Sequence, residues 1–217
     1  FVESLRSSFG SVADSIPLVE ITLPVGISFF TFQALSYVVD VHRRQIEPMA
    51  LLDFAVFLSF FPQLVAGPIV RASEFAPQLA TQPDPRFVPT SEAFRLIFSG
   101  LFKKVVISTY LATEIVDEVF TLPDNHSAPE VLIAVYAYAI QIYADFSGYT
   151  DIAIGVALLL GFRFPQNFNA PYAALSIQDF WRRWHMTLSN WLRDYLYISL
   201  GGNRGGKLLT YRNLILT

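Results

Sequence analysis

The sequence predicts an all-α polytopic membrane protein, and three observations support this fold class. Hydrophobic residues make up 53% of the 217 residues and charged residues only 15%, whereas soluble domains carry about 25% charged residues. The mean hydropathy is +0.43. Several apolar runs approach the ~20 residues that a helix needs to cross a bilayer, and the 20 Phe and 10 Tyr suit lipid-facing and interfacial positions.

The first half of the chain predicts one span, one broken segment and a loop. Leu18–Val39 is the first candidate span, and it ends at the charged segment Asp40–Arg44. Leu51–Val65 is too short for a full span and leads into Phe61–Pro68, where two Pro and one Gly break any continuous helix. We expect a re-entrant or kinked element there, because broken helices at membrane depth must be buried in protein or line a cavity. Thr81–Pro89 is polar and predicts a loop.

The next helices contain charges inside apolar runs. A helix is expected to begin near Ser91 and to include the apolar run Phe94–Phe120. Paired Lys at mid-bilayer would be costly, so Lys103 and Lys104 are expected to mark an interface or a helix end. After a loop at Leu122–Pro129, Val131–Phe162 is too long for one span and predicts two helices.

The junction of those two helices is expected at Asp145–Asp151, which contains Ser147-Gly148, and Gly161–Pro171 predicts a loop. Ser176–Leu200 predicts one amphipathic helix, interfacial or packed on a bundle, because its aromatic and Leu residues share an arc of about 120° on a helical wheel. Gly201–Gly206 is expected to end it.

The net charge of −3 indicates no nucleic-acid partner. The absence of Cys excludes disulfides, thiolate metal sites and Cys nucleophiles. The three His are far apart in sequence, so no metal is expected. The chain lacks an initiator Met and a signal-peptide layout and stops as an apolar segment begins, so residues 1–217 are expected to be a single central fragment of a membrane domain, truncated at both ends.

Three sets of residues are candidates for chemistry. His185 lies at the shoulder of the apolar arc, where an imidazole can act as base or ligand; the alternative is an interfacial His satisfied by a neighbour. Arg182, Arg183 and Arg193 are candidates for binding the phosphates of an acyl thioester, or for attraction to anionic lipid head groups. Asp145 and Asp151 would orient an imidazole or line a polar path, or else cap the two flanking helices.

Seven segments in order along the chain resemble the membrane-bound O-acyltransferase family, in the branch of membrane subunits of bacterial alginate O-acetylation. The most specific is the Trp-Arg-Arg-Trp-His sequence at 181–185 within Asp179–Ile198. The others are Pro24–Phe32, Tyr37–Arg43, Phe60–Arg71, Gly100–Val106, Gln141–Gly155 and Gly201–Arg204.

The resemblance implies a bundle of tilted, re-entrant and interfacial helices around a tunnel in the bacterial inner membrane. It implies acyl transfer from a cytoplasmic thioester, acetyl-CoA or another acyl donor with no bound cofactor, towards an extracytoplasmic polysaccharide such as alginate. Periplasmic acetyltransferase partner proteins are expected to complete the transfer. His185 matches one of the family's two important His, and the other, regarded as catalytic, is expected beyond Thr217.

Other functions stay open on the sequence alone. A sister branch passes D-alanine towards teichoic acids. Broken helices and buried acids also occur in transporters and channels, although no inverted repeat is visible in the chain. A membrane scaffold without catalytic activity is a further alternative.

Overall fold

The computed structural model describes residues 26–81 and 83–217, and every regular element in these two ranges is helical. The longer helices are α1 (Ile27–His42), α2 (Leu51–Ser59), α3 (Ala72–Leu79), α4 (Thr90–Thr121), α5 (Ala128–Leu159), α6 (Ile177–Arg183), α7 (Met186–Trp191, continued by the π-helical Leu192–Tyr197) and α8 (Gly206–Leu216). Single 3-10 turns lie at Phe61–Gln63, Pro85–Phe87, Pro123–Asn125 and Pro171–Ala173. The predicted all-α class is confirmed for the described residues, and the number of membrane passes stays a prediction.

Helices α4 and α5 form a long antiparallel hairpin. Each has 32 residues and is apolar enough to cross a membrane. At 1.5 Å per residue each is about 48 Å long, which exceeds the ~30 Å hydrocarbon core of a bilayer. The short connection ends in a capping box, in which Ser127 and Glu130 bond each other's groups and satisfy the first free amides of α5.

Glycines allow α4 and α5 to approach closely. Gly100 of α4 faces Gly148 of α5, and a Cβ added at Gly148 would lie 2.8 Å from the carbonyl oxygen of Gly100. Gly155 faces the carbonyl oxygen of Ala93 in the same way, at 2.7 Å from its would-be Cβ. Small residues at such contacts are typical of helix pairs in membranes, where close backbone packing replaces the hydrophobic effect.

The prediction of two helices within Val131–Phe162 is wrong. Helix α5 runs without a break from Ala128 to Leu159. Ser147 and Gly148, which were expected at a junction, are buried inside this helix instead, and Gly148 faces α4. Asp145 and Asp151 therefore cap no helix.

Lys103 and Lys104 do not mark a helix end either. They lie in the middle of α4, within a π-helical stretch at Phe102–Ser108. Lys103 Nζ is 2.5 Å from Asp151 Oδ2, and Lys104 Nζ is 2.5 Å from Asp145 Oδ1. The two acids of α5 thus pair with the two cations of α4. This pairing offsets the unfavourable free energy of placing Lys side chains in the middle of an apolar helix.

The break predicted at Phe61–Pro68 is confirmed. Helix α2 ends at Ser59, a single turn follows at Phe61–Gln63, and residues 64–71 are not helical. The buried amide of Gln63 donates to the carbonyl of Phe57 at 2.7 Å and satisfies an acceptor at the end of α2. Whether this element is re-entrant stays a prediction.

An aromatic core joins α2 and α3 to the loop that follows α5. Phe57 and Phe75 are fully buried. The ring of Phe75 lies 5.0 Å from that of Phe60 and 5.1 Å from that of Phe162. Phe164 belongs to the same cluster. The loop predicted at Gly161–Pro171 is confirmed as far as Ala170, since Pro171 begins a 3-10 turn, and the loop is thereby held against α2 and α3.

Helix α1 ends at His42, within the predicted charged segment Asp40–Arg44. The portion of the predicted first span before Gly26 lies outside the described residues. The indole of Trp191 donates to the carbonyl of Phe32 at 3.0 Å, and Tyr195 donates to the buried carboxylate of Asp40 at 2.8 Å. These bonds attach α7 to α1.

The prediction of one helix over Ser176–Leu200 is wrong. It begins as expected, with the Ser176 hydroxyl accepting from the amide of Asp179. However, α6 ends at Arg183, Trp184 is extended, and α7 begins at Met186. Helix α7 with its π-helical continuation already ends at Tyr197, before the predicted Gly201–Gly206; turns follow over residues 198–205, and Gly206 begins α8.

Candidate functional site

His185 occupies the break between α6 and α7 in a strained backbone conformation. Its φ of 44° and ψ of 54° are left-handed, a region that costs a non-glycine residue about 1–3 kcal/mol. Two backbone bonds from the loop after α5 hold the break in place. The amide of Met186 donates to the carbonyl of Asn167, and the amide of Asn169 donates to the carbonyl of Arg183, both at 2.9 Å.

The imidazole of His185 is enclosed by aromatic rings. The side chain is buried, with 8% of the residue exposed. The ring of Phe146 meets it edge-on at a centroid distance of 4.9 Å. Phe29 and Phe168 lie roughly parallel to it at 6.3 and 6.5 Å. The predicted position at the edge of an amphipathic face is therefore wrong, because the helix break turns His185 inward.

Asn167 fixes the orientation of the imidazole. Its side-chain oxygen accepts from the amide of Thr187 at 3.2 Å and from the hydroxyl of Thr187 at 2.9 Å. Nδ1 of His185 lies 3.1 Å from the same oxygen. The Thr187 hydroxyl oxygen accepts from the amide of Ile69 at 3.0 Å, and its hydrogen is therefore left to donate to Asn167. All four residues are buried.

These partners determine the tautomer of His185. The amide of Thr187 can only donate, so the Asn167 atom that it faces is the oxygen. An amide oxygen can only accept, so Nδ1 of His185 must carry the proton and Nε2 the lone pair. Burial lowers the pKa of His185 to about 4, because the aromatic enclosure disfavours the imidazolium. The ring is therefore neutral near pH 7, with a basic nitrogen at Nε2.

His185 lines a cavity of about 610 Å³. Apolar side chains from α1, α7 and residues 64–71 form much of the wall, including Phe29, Phe32 and Ile69. The titratable groups on the wall are His185, Lys104, Asp145 and Tyr149, and the hydroxyl of Ser28 is a further polar group there. A mostly apolar pocket with a few converging polar groups is the usual form of a small-molecule site.

A second, polar cavity of about 350 Å³ lies beside the first. Ile69 lines both cavities, and its bond to Thr187 forms part of the partition between them. Arg71 and Arg193 each lie 2.7 Å from a different oxygen of Asp194 on the wall of this polar cavity. Burial alone would raise the pKa of Asp194, but the hydrogen bonds from Arg193 and Arg71 hold it below its ordinary value.

The structure brings together some of the sequence candidates and separates others. His185 and Asp145 line the apolar cavity, and Arg193 lines the polar one. Arg183 is engaged with Asp179 one helical turn earlier, at 3.0 Å. Arg182 is exposed, and Asp151 is paired with Lys103; these residues line neither cavity. Within residues 26–81 and 83–217 there is no cluster of three His, Asp or Glu side chains placed to hold a metal ion.

Several residues of the site were missed by sequence reasoning. Asn167 lies in a segment interpreted only as a loop, and Thr187 is an unremarkable helix residue. Lys104 was noticed, but for its cost in the membrane rather than as part of a site. Arg71 and Tyr149 belong to the segments that resemble the family, and this resemblance was the only available signal for them.

Comparison with known proteins identifies a family for nearly the whole chain. Residues 18–217 match the family described as MBOAT, membrane-bound O-acyltransferase family. The chain is 48% identical over 222 residues to the probable alginate O-acetylase AlgI of Pseudomonas aeruginosa, covering 100% of this chain and 41% of the relative.

Two other relatives carry different names. The peptidoglycan O-acetyltransferase of Helicobacter pylori is 44% identical over 221 residues, covering 89% of this chain and 42% of the relative. The teichoic acid D-alanyltransferase of Bacillus subtilis is 32% identical over 177 residues, covering 80% of this chain and 45% of the relative. The chain thus spans less than half the length of each of these relatives.

Proposed function

The chain belongs to the membrane-bound O-acyltransferase family, and from this premise we propose that the full-length protein transfers acetyl groups from a cytoplasmic thioester to an extracytoplasmic polysaccharide. The observation that carries the proposal is the apolar cavity whose wall holds a neutral imidazole with a free lone pair on Nε2. Such a group is suited to accept or relay a proton at the wall of a mostly apolar site.

The proposed reaction is the attack of an acceptor hydroxyl on the thioester carbonyl. A new C–O bond forms, the C–S bond breaks, and the hydroxyl proton passes through an imidazole to the leaving thiolate. A second His beyond Thr217 acts as the general base. His185 positions the acyl group or the acceptor, or assists the proton transfer. The apolar walls of the cavity favour binding of the short, uncharged acetyl group.

The donor is proposed to be acetyl-CoA or another acyl thioester, bound from the cytoplasmic side. Arg193 lines the polar cavity next to the apolar one, which supports it over Arg182 and Arg183 as a contact for the donor phosphates. We place the protein in the bacterial inner membrane as a multi-pass protein. Periplasmic acetyltransferase partner proteins are proposed to deliver the acetyl group to the polymer.

Alginate is the first candidate acceptor, on the strength of the 48% identity to an alginate O-acetylase. Peptidoglycan is the second candidate, because a peptidoglycan O-acetyltransferase is nearly as similar, at 44%. Transfer of D-alanine has weaker support, at 32% identity to the teichoic acid enzyme. Acetylation of purified alginate and of purified peptidoglycan by the same membranes, measured side by side, distinguishes the first two.

The test is acetyl transfer from labelled acetyl-CoA by the full-length protein in membranes, together with its partner proteins and the acceptor. His185→Ala is expected to reduce transfer by about 10²–10⁴-fold, the usual contribution of acid–base assistance. His42→Ala is the matched control, since His42 is exposed at the end of α1, and it should retain wild-type transfer. Equal amounts of each variant in the membrane fraction must be shown.

Normal transfer by His185→Ala would remove His185 from the mechanism. Absence of transfer by the wild-type protein, with the label moved instead by a partner alone, would favour a scaffold. Net flux of a solute without acyl transfer would favour a transporter.

A further inference from the structure

The side chain of Asn167 makes hydrogen bonds in addition to those by which its backbone holds the loop against the helix break. Its backbone carbonyl already accepts from Met186 and ties the loop to the helix break. The side-chain oxygen adds a second tie by accepting from the amide of Thr187 in the first turn of α7, and beyond that it accepts from the Thr187 hydroxyl and faces Nδ1 of His185. The residue is fully buried, and its side-chain NH₂ has no partner among the described residues. A side chain needed only to fill space would be better stabilised by an apolar group.

We propose that Asn167 and Thr187 are positioning residues that hold His185 in the tautomer with its proton on Nδ1 and its lone pair on Nε2. The inference rests on the proposed role of His185 in acyl transfer. Asn167 supplies the acceptor that selects the tautomer. Thr187 orients that acceptor with both its amide and its hydroxyl, and the amide of Ile69 orients the hydroxyl in turn.

The choice of an amide rather than a carboxylate has a chemical consequence. A carboxylate at position 167 would accept the same bonds but would stabilise the imidazolium. The neutral amide orients the ring without adding a charge, so the imidazole stays neutral and able to accept a proton. The other charged groups on the cavity wall add no net charge beside the imidazole, because Lys104 and Asp145 pair with each other. Tyr149 is the remaining titratable group there.

The first experiment is the pH dependence of acetyl transfer by Asn167→Asp in the full-length protein. The acid limb of the rate profile is expected to move to higher pH by about 1–3 units, the usual effect of an adjacent opposite charge. The direction follows because a raised pKa of His185 protonates the ring at a pH where the wild-type ring is still neutral. A purely structural Asn167 would lower the amount of active protein and leave the profile where it is.

The second experiment keeps the proposal testable if Asn167→Asp does not fold. Thr187→Val has nearly the shape of Thr but lacks the hydroxyl, and Thr187→Ser retains it. We expect Thr187→Val to lower kcat by about 10–100-fold, the size of effect known from removing hydrogen-bond partners that orient metal-bound His. KM for the thioester should change little, and Thr187→Ser should restore kcat. Equal losses in the two variants, or a loss confined to KM, would overturn the proposal.

His185→Ala separates failure of this inference from failure of the proposed function. If His185→Ala retains wild-type transfer, the role of His185 is wrong and the positioning role falls with it. If His185→Ala loses transfer while Asn167→Asp keeps the wild-type pH profile and Thr187→Val keeps the wild-type kcat, only the positioning role is wrong.

Discussion

Replacing Gly148 with Ala tests the close packing of α4 and α5. The added methyl group would lie 2.8 Å from the carbonyl oxygen of Gly100, 3.1 Å from the amide nitrogen of Lys104 and 3.2 Å from Cβ of Lys103. Two of these three atoms are backbone atoms, so they cannot move away by changing a rotamer. The two helices would have to separate by about half an ångström to regain ordinary contact, and such a gap removes roughly a quarter of the dispersion energy of each contact.

The expected result is a net loss of stability. Overpacking of a tightly packed site typically costs about 1–3 kcal/mol. Ala is intrinsically favoured over Gly within a helix by about 1 kcal/mol, which offsets part of that cost. Because the obstacle at Gly148 is backbone, we expect the upper part of the range and a net loss of about 1–2 kcal/mol.

Thermal unfolding of the purified full-length protein in detergent, at one fixed scan rate, measures this loss. For a chain of 150–250 residues, 1 kcal/mol corresponds to about 2–4 °C in Tm, and the longer full-length protein should shift by less. Ser99→Ala is the matched control, because Ser99 is exposed beside Gly100 on α4; its Tm should equal that of the wild type. If the Tm of Gly148→Ala is at or above the wild-type value, the variant gains the higher helix propensity of Ala and suffers no steric clash. That result would refute the close contact between Gly148 and α4.

Three further predictions concern charges and buried hydrogen bonds. Lys104→Met and Asp145→Asn should each lower Tm by leaving one unpaired charge, and the double variant should be more stable than either single variant; a loss in the double variant equal to the sum of the two single losses would show that the 2.5 Å pair is not formed. Tyr195→Phe should cost about 1–3 kcal/mol in unfolding free energy because the buried carboxylate of Asp40 loses its donor; an unchanged Tm would contradict this. Because the folded-state pKa of His185 is about 4, below the ordinary histidine value of 6.5, the wild type should lose stability as pH falls from 6.5 towards 4; His185→Gln should lose less between pH 7 and pH 5, and parallel losses of the two proteins would contradict this prediction.

Local sequence pattern predicted the helices and the turns at Gly and Pro, but it misjudged the centre of α5. Ser147-Gly148 was interpreted as a helix breaker, since Gly in a soluble helix usually weakens it. In an apolar helix the same small residues let a neighbouring backbone approach, and Gly100 lies opposite Gly148. The partner of a small residue is not visible in local sequence, so the two interpretations could not be separated.

The break at His185 could not be predicted from periodicity. A helical wheel assumes a constant 100° per residue, and it therefore placed His185 at the edge of one continuous face. The extended Trp184 and the left-handed His185 interrupt the helix within two residues. The bonds that hold it come from Asn167 and Asn169, which lie 18 and 16 residues before His185 in the chain. The family resemblance identified His185 as important without indicating that it is buried.

The position of Asn167 depends on contacts distant in sequence even more strongly than the helix break at His185 does. The loop that carries it is fixed at one end by Phe162 and Phe164 in the aromatic core. At the other end, the hydroxyl of Tyr172 donates to the carbonyl of Ala139 on α5 at 2.6 Å. The loop on both sides of Asn167 is therefore held by contacts with different helices, and these contacts fix the position of the Asn167 side-chain oxygen before any substrate binds. Such preorganisation from rigid supports is what an acid–base site needs. It also explains why the residue has no sequence signature: its position is set by aromatic and backbone contacts that belong to other parts of the chain.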